Sequence, residues 1–383
     1  MVEPNRRRAW ADIDLGALRA NLARVRDCNS QSRITAIIKA NAYGHGLTRV
    51  AAALGQDGSP VDCFGVATVD EATVLHGLGT GRRILVLQGF ANLEQARYLV
   101  EAGLEFVIHA DYQLALLKRA LRDRSGGRPL TVWLKLDTGM HRLGLNSDEF
   151  RDALGSLQAL PQVSRIVLMS HLACADDPGD EAAVAMTRLQ LDRFHSACSA
   201  PDASPGMEIS RSLAASAGVM AWPATHFEYL RPGIMLYGGS PFTHKTGLEL
   251  GLQPVMNLRA RLIAIKTVAA GDSVGYGATY TCDKATRIGV VSIGYGDGYP
   301  RKAPNDTPVL VQTPRGLQRS RLIGRVSMDM LTIDLDGFDD VEVGGEVVLW
   351  GDTLAADEIA GLIGTISYEL FCQVTDRVPF NYY

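Results

Sequence analysis

The feature that most constrains the fold of this 383-residue chain is a regular alternation of short apolar runs with longer segments of helical periodicity. Between about residues 14 and 240, each Val- and Ile-rich run is followed by a loop and usually by a helical stretch such as 178–197. This βα rhythm is typical of a parallel sheet or barrel. Eight such runs favour a closed (β/α)8 barrel over an open sheet. The predicted strands are 34–39, 63–67, 84–88, 104–109, 130–136, 166–170, 207–210 and 227–231.

Beyond about residue 245 the pattern changes to apolar–polar alternation punctuated by glycine-rich turns, which predicts a mostly antiparallel β domain. The chain is therefore predicted to be α/β, with an N-terminal (β/α)8 TIM-type barrel over 12–244 and a C-terminal mostly β domain over 245–383. Residues 1–11 are expected to pack on the β domain. Its predicted strands are 258–268, 287–293, 308–311, 321–326, 331–335 and 346–350, followed by a short helix over 356–363.

The sequence indicates where the first helix of the barrel begins. Asp14 is a good N-cap, and Leu18, Leu22 and Val25 follow at spacings of four and three. Such spacing places the three apolar side chains on one face of a helix. A helix is therefore predicted to begin directly after Asp14.

Composition excludes several classes of partner. The net charge is −4 and no long Lys/Arg block occurs, so neither nucleic acid nor an anionic membrane surface is an expected partner. The short basic cluster 6–8 runs into acidic residues rather than an apolar stretch, and no run of 18 apolar residues occurs, so neither a secretory signal nor a membrane span is expected. The six cysteines are scattered without a Cys-x-x-Cys pair, which favours a reduced, cytoplasmic protein without a zinc knuckle.

The sharpest local signal lies at 37–46, where Lys39 ends an apolar run just before a glycine-punctuated turn. Active sites of barrels lie at the C-terminal ends of the strands. An apolar surround disfavours the ammonium form of a lysine and exposes a nucleophilic amine that can form a Schiff base. A strand-end lysine whose charge reaches solvent explains the same segment equally well.

A second segment places Lys135 inside an apolar strand and Arg142 just beyond it. A lysine buried in a strand is costly unless it is paired or modified, which favours a functional role for Lys135. The guanidinium of Arg142 can hold a carboxylate with two hydrogen bonds, although a surface salt bridge is the commoner fate of an arginine. His171, taken alone, is typical of a satisfied core histidine.

Small residues surround Ser216 in a way that superficially resembles a nucleophile elbow. Ala214 stands where that motif needs its first glycine, and no other residue supports a catalytic triad, so we discount the elbow. The same small residues fit a phosphate cradle, especially if Gly233 and Ile234 offer backbone N–H groups nearby.

Together these segments resemble the alanine racemase family, pyridoxal-phosphate (PLP) enzymes with an N-terminal (β/α)8 barrel and a C-terminal β domain. The resemblance covers nearly the whole chain and follows the family's order of motifs. The matching segments are 39–46, 135–144, 231–234, 275–277 and 328–329.

The resemblance implies a role for each matching residue. Lys39 would hold PLP as a Schiff base, and Arg231 would lie at the pyridine nitrogen, where a protonated guanidinium can only donate. Arg142 and the backbone N–H of Met328 would hold the substrate carboxylate, and Lys135 matches a position that is carbamylated in many relatives. The PLP phosphate would be surrounded by Tyr43, Ser216, the N–H groups of Gly233 and Ile234, and Tyr368.

Racemisation needs a proton removed from one face of Cα and returned to the other. By resemblance, Lys39 would act on the D substrate and Tyr276 on the L substrate. Lysine and tyrosine side chains ordinarily have pKa values of about 10, so a base of either type needs tuning to act near neutrality. The family does this with His171 beside the tyrosine and Arg231 close to it. Tyr276 and the Met328 loop would come from the partner subunit, which predicts a homodimer with shared sites.

The leading interpretation is interconversion of L- and D-alanine, either to supply D-alanine for peptidoglycan or to break it down. A racemase of broader substrate range is the nearest alternative. A related PLP decarboxylase is disfavoured by Arg231, since those enzymes generally place an acid at the pyridine nitrogen, and a non-catalytic PLP carrier would lack the β domain. One departure from a common family pattern is Ser212 and Ala215 in place of histidine and asparagine, which leaves open what braces Arg231.

Overall fold

A computed structural model describes residues 7–122, 126–199 and 206–383 of the chain. The first strand, β1 (Ala9–Ile13), precedes a closed barrel of eight parallel strands. Pairing of the first and last barrel strands, with Ile34 beside Leu230, completes the ring. This confirms the predicted (β/α)8 barrel. Its strands are β2 (Arg33–Ile37), β3 (Val61–Val66), β4 (Arg83–Val86), β5 (Glu105–Ile108), β6 (Leu130–Lys135), β7 (Val163–Met169), β8 (Glu208–Ala215) and β9 (Tyr229–Arg231).

Helices alternate with these strands. The first begins directly after Asp14, whose carboxylate accepts hydrogen bonds from the N–H groups of Gly16 and Ala17, and it buries the predicted apolar face. The predicted start of this helix is therefore confirmed. The helices are α1 (Leu15–Cys28), α2 (Lys39–Tyr43), α3 (Leu47–Leu54), α4 (Val69–Gly77), α5 (Leu93–Ala102), α6 (Asp111–Arg122), α7 (Ser147–Gln158), α8 (Glu181–Cys198) and α9 (Ser216–Ala221).

The N-terminal end of the barrel is closed by charged and aromatic side chains. Arg83 forms an ion pair with buried Glu105, which also accepts a hydrogen bond from the Trp133 indole at 2.7 Å. The Tyr229 hydroxyl accepts hydrogen bonds from Arg33 and Arg83. This paired network seals one end of the barrel and leaves the opposite, C-terminal end for a site.

The C-terminal region forms a second, mostly antiparallel sheet, as predicted. Its order is β15-β14-β17-β10-β1-β18, with β13 paired to β10 and β16 paired to β13, and β11 and β12 form a separate two-stranded sheet. The short helices α10 (Ala356–Ile363) and α11 (Ser367–Gln373) complete this region. The strands are β10 (Met256–Val268), β11 (Ser273–Val274), β12 (Tyr280–Thr281), β13 (Thr286–Val291), β14 (Pro308–Thr313), β15 (Gly316–Arg321), β16 (Leu331–Asp334), β17 (Glu346–Trp350) and β18 (Phe380–Tyr382).

The N-terminal strand β1 belongs to this second sheet, where it pairs with β10 and β18. Of the predicted N-terminal segment 1–11, residues 1–6 lie outside the described residues. In the parts of the chain that the structure describes, no helix combines the length and apolarity that crossing a membrane requires.

Two predicted strands differ from the structure. The strand predicted over 34–39 ends at Ile37, and Lys39 lies in α2. The strand predicted over 321–326 is wrong, because the chain makes a hairpin between β14 and β15 and then leaves the sheet. Gly324, with a φ of +75°, passes so near Val274 that a Cβ would lie 2.7 Å from its carbonyl oxygen. That left-handed backbone ends the extended run.

Candidate active site

Five of the predicted site residues come together at the C-terminal end of the barrel. Lys135 and Arg231 are the last residues of β6 and β9, and Ser216 directly follows β8. His171 and Lys39 each lie two residues beyond their strands, β7 and β2. Since parallel strands end on the same side, the barrel brings these distant residues to one face.

The segment after Lys39 is a left-handed helical turn. Ala40, Asn41, Ala42 and Tyr43 all have φ values between 52° and 56°. This conformation costs about 1–2 kcal/mol for each residue that carries a Cβ. The Glu71 carboxylate accepts a hydrogen bond from the Ala40 N–H at 2.6 Å, and the Asn41 side chain accepts one from the next helix. These contacts fix the direction in which Lys39 leaves the barrel.

Two lysines in the site have lowered pKa values. Burial, followed by the charges of Arg231 and Arg142, lowers the pKa of Lys135 to about 8. The pKa of Lys39 is also lowered, first by burial and then by Arg142, while Glu71 opposes the shift. The two lysines and two arginines therefore form a cationic cluster, in which each lysine loses its proton at a lower pH than a lysine in solvent.

His171 lies within this cluster as a neutral ring. Burial and then the charge of Arg231 hold its pKa well below 6.5. Burial alone lowers the pKa of Arg231 to about 10, so its guanidinium remains protonated at neutral pH. A neutral histidine thus lies beside a buried cation.

The structure identifies what braces Arg231. One terminal nitrogen donates to the Ser212 hydroxyl at 2.6 Å, and the other donates to the carbonyl oxygen of Ser170 at 2.7 Å. Weaker contacts reach the Leu213 carbonyl at 3.3 Å and Nδ1 of His171 at 3.4 Å. Ser212 thus takes the bracing place left open by the sequence, and no carboxylate is among these partners.

A pocket of small and aromatic residues adjoins Ser216. The Ser216 hydroxyl accepts hydrogen bonds from the N–H of Gly233 at 2.9 Å and of Met235 at 3.4 Å. At Gly233, a Cβ would lie only 2.4 Å from the Tyr43 hydroxyl, and the Tyr43 ring lies 5.8 Å from that of Tyr368. Burial raises the pKa of both tyrosines, so both hydroxyls stay protonated and can donate.

Ile234 begins the 3-10 helix Ile234–Tyr237 beside this pocket. The first N–H groups of a helix have no partner inside it, so the Ile234 N–H is available to a neighbouring acceptor. The Gly233 N–H differs from expectation, because it already donates to Ser216. The structure therefore brings Tyr43, Ser216, Gly233, Ile234 and Tyr368 into one cradle.

Three predicted site residues are more open to solvent. Arg142 is exposed, although its charge acts on both lysines. Tyr276 and Met328 lie in the second sheet's region with 71% and 53% of their surfaces exposed. Within residues 7–122, 126–199 and 206–383, no hydrogen bond, ion pair or ring contact joins Tyr276 or Met328 to Lys39. A single copy of the chain thus leaves these two residues apart from the cationic cluster.

Sequence reasoning missed two residues that organise the site. Glu71 forms a capping box with Thr68 at the start of α4, and the spacing of the two residues indicates such a box. Its hydrogen bond to Ala40 joins a different loop, which this spacing does not indicate. Gln190 lies fully buried on α8 and bonds to two loops of the site, and no local pattern signals it.

Comparison with known proteins decides the family. Residues 13–241 match the family model described as "Alanine racemase, N-terminal domain", and residues 255–382 match "Alanine racemase, C-terminal domain". The chain belongs to the alanine racemase family. An alanine racemase of Halorhodospira halophila is 48% identical over 373 residues, which is 97% of each chain. This membership makes the protein an enzyme, an isomerase, and supports alanine racemisation as its reaction.

Solved structures of alanine racemases agree with the fold. The biosynthetic alanine racemase of Pseudomonas aeruginosa is 43% identical, with a TM-score of 0.90 over 98% of this chain and 99% of that one. The alanine racemase of Bartonella henselae, described with covalently bound pyridoxal phosphate, is 25% identical, with a TM-score of 0.84 over 98% of this chain and 100% of that one. Alanine racemases in general depend on PLP.

Proposed function

We propose that this enzyme interconverts L- and D-alanine by a two-base mechanism, with PLP held on Lys39. Lys39 and Tyr276 are the two bases, on opposite faces of the substrate Cα, and Tyr276 comes from the partner subunit. The observation that carries the proposal is the cationic cluster at the C-terminal end of the barrel, where burial and the neighbouring Arg142 lower the pKa of Lys39.

The residues present fit PLP. The cationic cluster contains Lys39, Lys135, Arg142 and Arg231, whereas only Glu71 and Asp137 act on its two lysines as carboxylates. Such an excess of partly buried positive charge favours an anionic ligand. The cradle at Gly233 offers hydroxyl donors where any larger residue would collide with Tyr43.

In this proposal each residue has one task toward the cofactor. Lys39 would bond to it and Arg231 would donate to its pyridine nitrogen, with His171 beside Arg231. When bound, PLP would withdraw electrons from Cα of the amino acid and make its C–H bond acidic. The phosphate would be held by Tyr43, Ser216, Gly233, Ile234 and Tyr368.

The two bases act in opposite directions. From D-alanine, the Lys39 amine would accept the Cα proton and the Tyr276 hydroxyl would supply a proton to the opposite face, which gives L-alanine. From L-alanine, the Tyr276 oxygen, assisted by His171 and Arg231, would accept the proton and the Lys39 ammonium would supply one. Arg142 and the Met328 N–H hold the substrate carboxylate, so that Cα lies between the bases.

A homodimer with shared sites is part of the proposal. Tyr276, Tyr295, Met328 and Met330 are all exposed and large, and they lie on adjoining loops of the β region. The N–H of Gly296 donates to the Met328 carbonyl at 2.8 Å, which holds two of these loops together. An exposed apolar surface of this kind is typical of an interface. A second copy of the chain would cover it and supply Tyr276 to the barrel.

We also propose that Lys135 is carbamylated. Its amine has a pKa of about 8, so an appreciable neutral fraction can attack CO2 near neutral pH, forming an N–C bond and releasing one proton. The resulting anion would lie near Arg142 and Arg231 and offset their charge. Mass measured near neutral pH should show an added CO2 on the peptide with Lys135. An unmodified peptide, under handling shown to preserve carbamates, contradicts this step.

We assign the barrel to residues 12–244 and the β domain to 245–383, with residues 7–11, the described part of the predicted N-terminal segment, on the β domain. The family matches over 13–241 and 255–382 support this division. We further propose a cytoplasmic location, since a reducing compartment suits the free thiols of Cys28, Cys63, Cys174, Cys198, Cys282 and Cys372.

The decisive experiment uses the purified protein supplied with PLP. Wild type should show the absorption band of a lysine-bound cofactor and should convert L-alanine to the D form, followed by circular dichroism. Lys39→Ala should lose both the band and turnover, whereas Lys118→Ala, at an exposed position on α6, should keep both. A colourless wild-type protein without turnover would overturn the proposed function.

A further inference from the structure

We propose that Gln190 is a positioning residue for this site, because its side-chain amide joins the loop that carries Arg142 to the loop that carries His171. The inference rests on the proposed function, since it concerns how the same residues are held in place. Gln190 is fully buried on α8, on the outside of the barrel wall.

Every polar atom of the Gln190 side chain has a partner. Its Oε1 accepts a hydrogen bond from the Ala173 N–H at 2.8 Å. Its Nε2 donates to the Thr138 hydroxyl at 3.1 Å and to the His171 carbonyl at 3.0 Å. Thr138 lies in the loop between Lys135 and Arg142, so a single amide fixes the spacing of two loops of the site.

A chain of hydrogen bonds runs from Gln190 through the hydroxyl groups of Thr138 and Ser170. The buried Ser170 hydroxyl donates to the Leu136 carbonyl at 2.8 Å, so its proton is already used. In the 2.8 Å contact between Thr138 and Ser170, Thr138 must therefore be the donor. The Thr138 oxygen then accepts from Gln190. Chained hydrogen bonds of this kind strengthen one another, so the chain acts as one unit.

The far end of this chain reaches Arg231. The Ser170 carbonyl accepts the 2.7 Å hydrogen bond from the Arg231 guanidinium. Displacing Ser170 therefore displaces a partner of Arg231, while displacing Thr138 moves the start of the Arg142 loop. Gln190 thus controls the distance between the group proposed to bind the substrate carboxylate and the group proposed to bind the pyridine nitrogen.

The chain contains a matched control, Gln113. This glutamine is also fully buried, lies on α6 and makes three hydrogen bonds to loops at the same end of the barrel. Its Nε2 donates to the carbonyl groups of Gln88 and Phe90, and its Oε1 accepts from the His109 N–H. None of these loops carries a predicted site residue. Loss of either amide removes three hydrogen bonds, but of the two glutamines it is Gln190 whose bonds join loops that carry predicted site residues.

The test compares Gln190→Met with Gln113→Met in the PLP-loaded enzyme and in the apoenzyme. Gln190→Met should lower kcat/KM for alanine by about tenfold to a hundredfold, since small displacements of positioned groups have effects of this size. It should also shift the absorption band of bound PLP and raise the PLP Kd of the apoenzyme. Gln113→Met should lower Tm by a similar amount but keep kcat/KM within about twofold of wild type.

Two further variants test the inference if Gln190→Met does not fold. Thr138→Val keeps the side-chain shape but cuts the chain one bond further on, and Gln190→Glu keeps the acceptor while losing both donors. Both should show the kinetic and spectral losses. Where Gln190→Met folds, the double variant with Thr138→Val should lose less than the product of the two single losses, because both changes break one unit.

The outcomes separate this inference from the proposed function. A wild-type enzyme that lacks PLP absorbance or alanine turnover contradicts the function before any variant is made. With wild type active, equal kinetic behaviour of Gln190→Met and Gln113→Met overturns the role of Gln190, as does an unshifted band with unchanged kcat/KM. Independent, multiplicative losses in the double variant also overturn it.

Discussion

The barrel end and the loops of the β domain carry two halves of the proposed site in opposite physical conditions. At the barrel end, Lys135 and Arg231 are buried and shifted in pKa, and hydrogen bonds brace Arg231. In the β domain, Tyr276 and Met328 lie mostly in solvent. The first half is organised within one copy of the chain. The second half is exposed, as expected for a surface that the proposed second subunit would cover.

The two halves of the proposed site therefore depend on different steps, because the barrel-end half forms when one chain folds and the β-domain half is proposed to act when two chains assemble. Folding of a single chain supplies two lysines with lowered pKa values and the arginines near them. The second base, by contrast, is proposed to arrive only on assembly. Mutations in the two regions should therefore behave differently, and four experiments test this.

The largest expected effect is complementation between two inactive variants. Lys39→Ala should lower turnover at least about 1,000-fold and Tyr276→Phe at least about 100-fold, because each removes one of two acid/base groups. If the sites are shared between subunits, a mixed dimer has one site with both lesions and one intact site. Co-refolding equal amounts should then restore about a quarter of wild-type turnover by random pairing.

Mixing each variant with itself serves as the control and should restore nothing. Failure of the mixed sample to recover, although native mass spectrometry detects mixed dimers, would show that both bases act within one subunit.

A smaller effect is expected in the stability of the barrel end. Lowering the Lys135 pKa from 10.5 to about 8 corresponds to about 3 kcal/mol of lost folding free energy when the amine is protonated. This loss is fully present below pH 8 and disappears as the pH rises toward 10.5, where the unfolded chain also releases its proton. In CO2-free buffer, Lys135→Met should therefore be more stable than wild type at pH 7, and the gain should shrink above pH 8.

Urea unfolding from pH 7 to 10.5 measures this gain. Lys118→Met, at an exposed position, should give a flat difference across the same range. A Lys135→Met variant no more stable than wild type at pH 7 would show that the cationic cluster does not strain the fold.

Arg142 shares a property with each region, because it is exposed while its charge acts on both lysines of the barrel end. Arg142→Ala should raise the KM for alanine about tenfold to a hundredfold, as expected for a lost charge-assisted hydrogen bond. Lysine in its place should recover only part of this loss, since it cannot form the planar pair. Steady-state kinetics in both directions give the result, and an unchanged KM would remove Arg142 from the substrate site.

The smallest effect is expected at Ser212. Ser212→Ala removes the 2.6 Å hydrogen bond to Arg231 but leaves the Ser170 carbonyl in place. The loss should be about 1 kcal/mol, or about fivefold in kcat, with a shifted PLP band. Ser210→Ala, two residues earlier on β8, is the matched control and should leave both unchanged. Identical spectra for the two variants would assign the bracing of Arg231 to its carbonyl partners alone.

The parts of the fold predicted from the sequence are those encoded locally. The βα rhythm, the Asp14 cap and the helix over 356–363 depend on residues a few positions apart, and the structure has all three. The strand prediction for 322–326 is wrong because Leu322, Ile323 and Val326 favour extended structure, while Gly324 adopts a left-handed backbone that their apolar character does not reveal.

The candidate site shows the same division. The positions of Lys39, Lys135 and Arg231 at strand ends follow from the barrel prediction. The bonds of Gln190 and Ser212 join residues far apart in the chain, and such pairs have no local signature. The left-handed turn after Lys39 was not predicted either, because alanine and tyrosine individually favour other conformations.

That left-handed turn makes the placement of Lys39 a product of finished folding. Four residues at about 1–2 kcal/mol each approach the whole net stability of a typical domain, so an unfolded or half-built chain cannot hold this shape. Until the barrel closes, the Lys39 side chain lacks the burial that lowers its pKa in the folded chain. Absorbance from bound cofactor would therefore report completed folding, and molecules that do not finish folding would remain colourless in the same preparation.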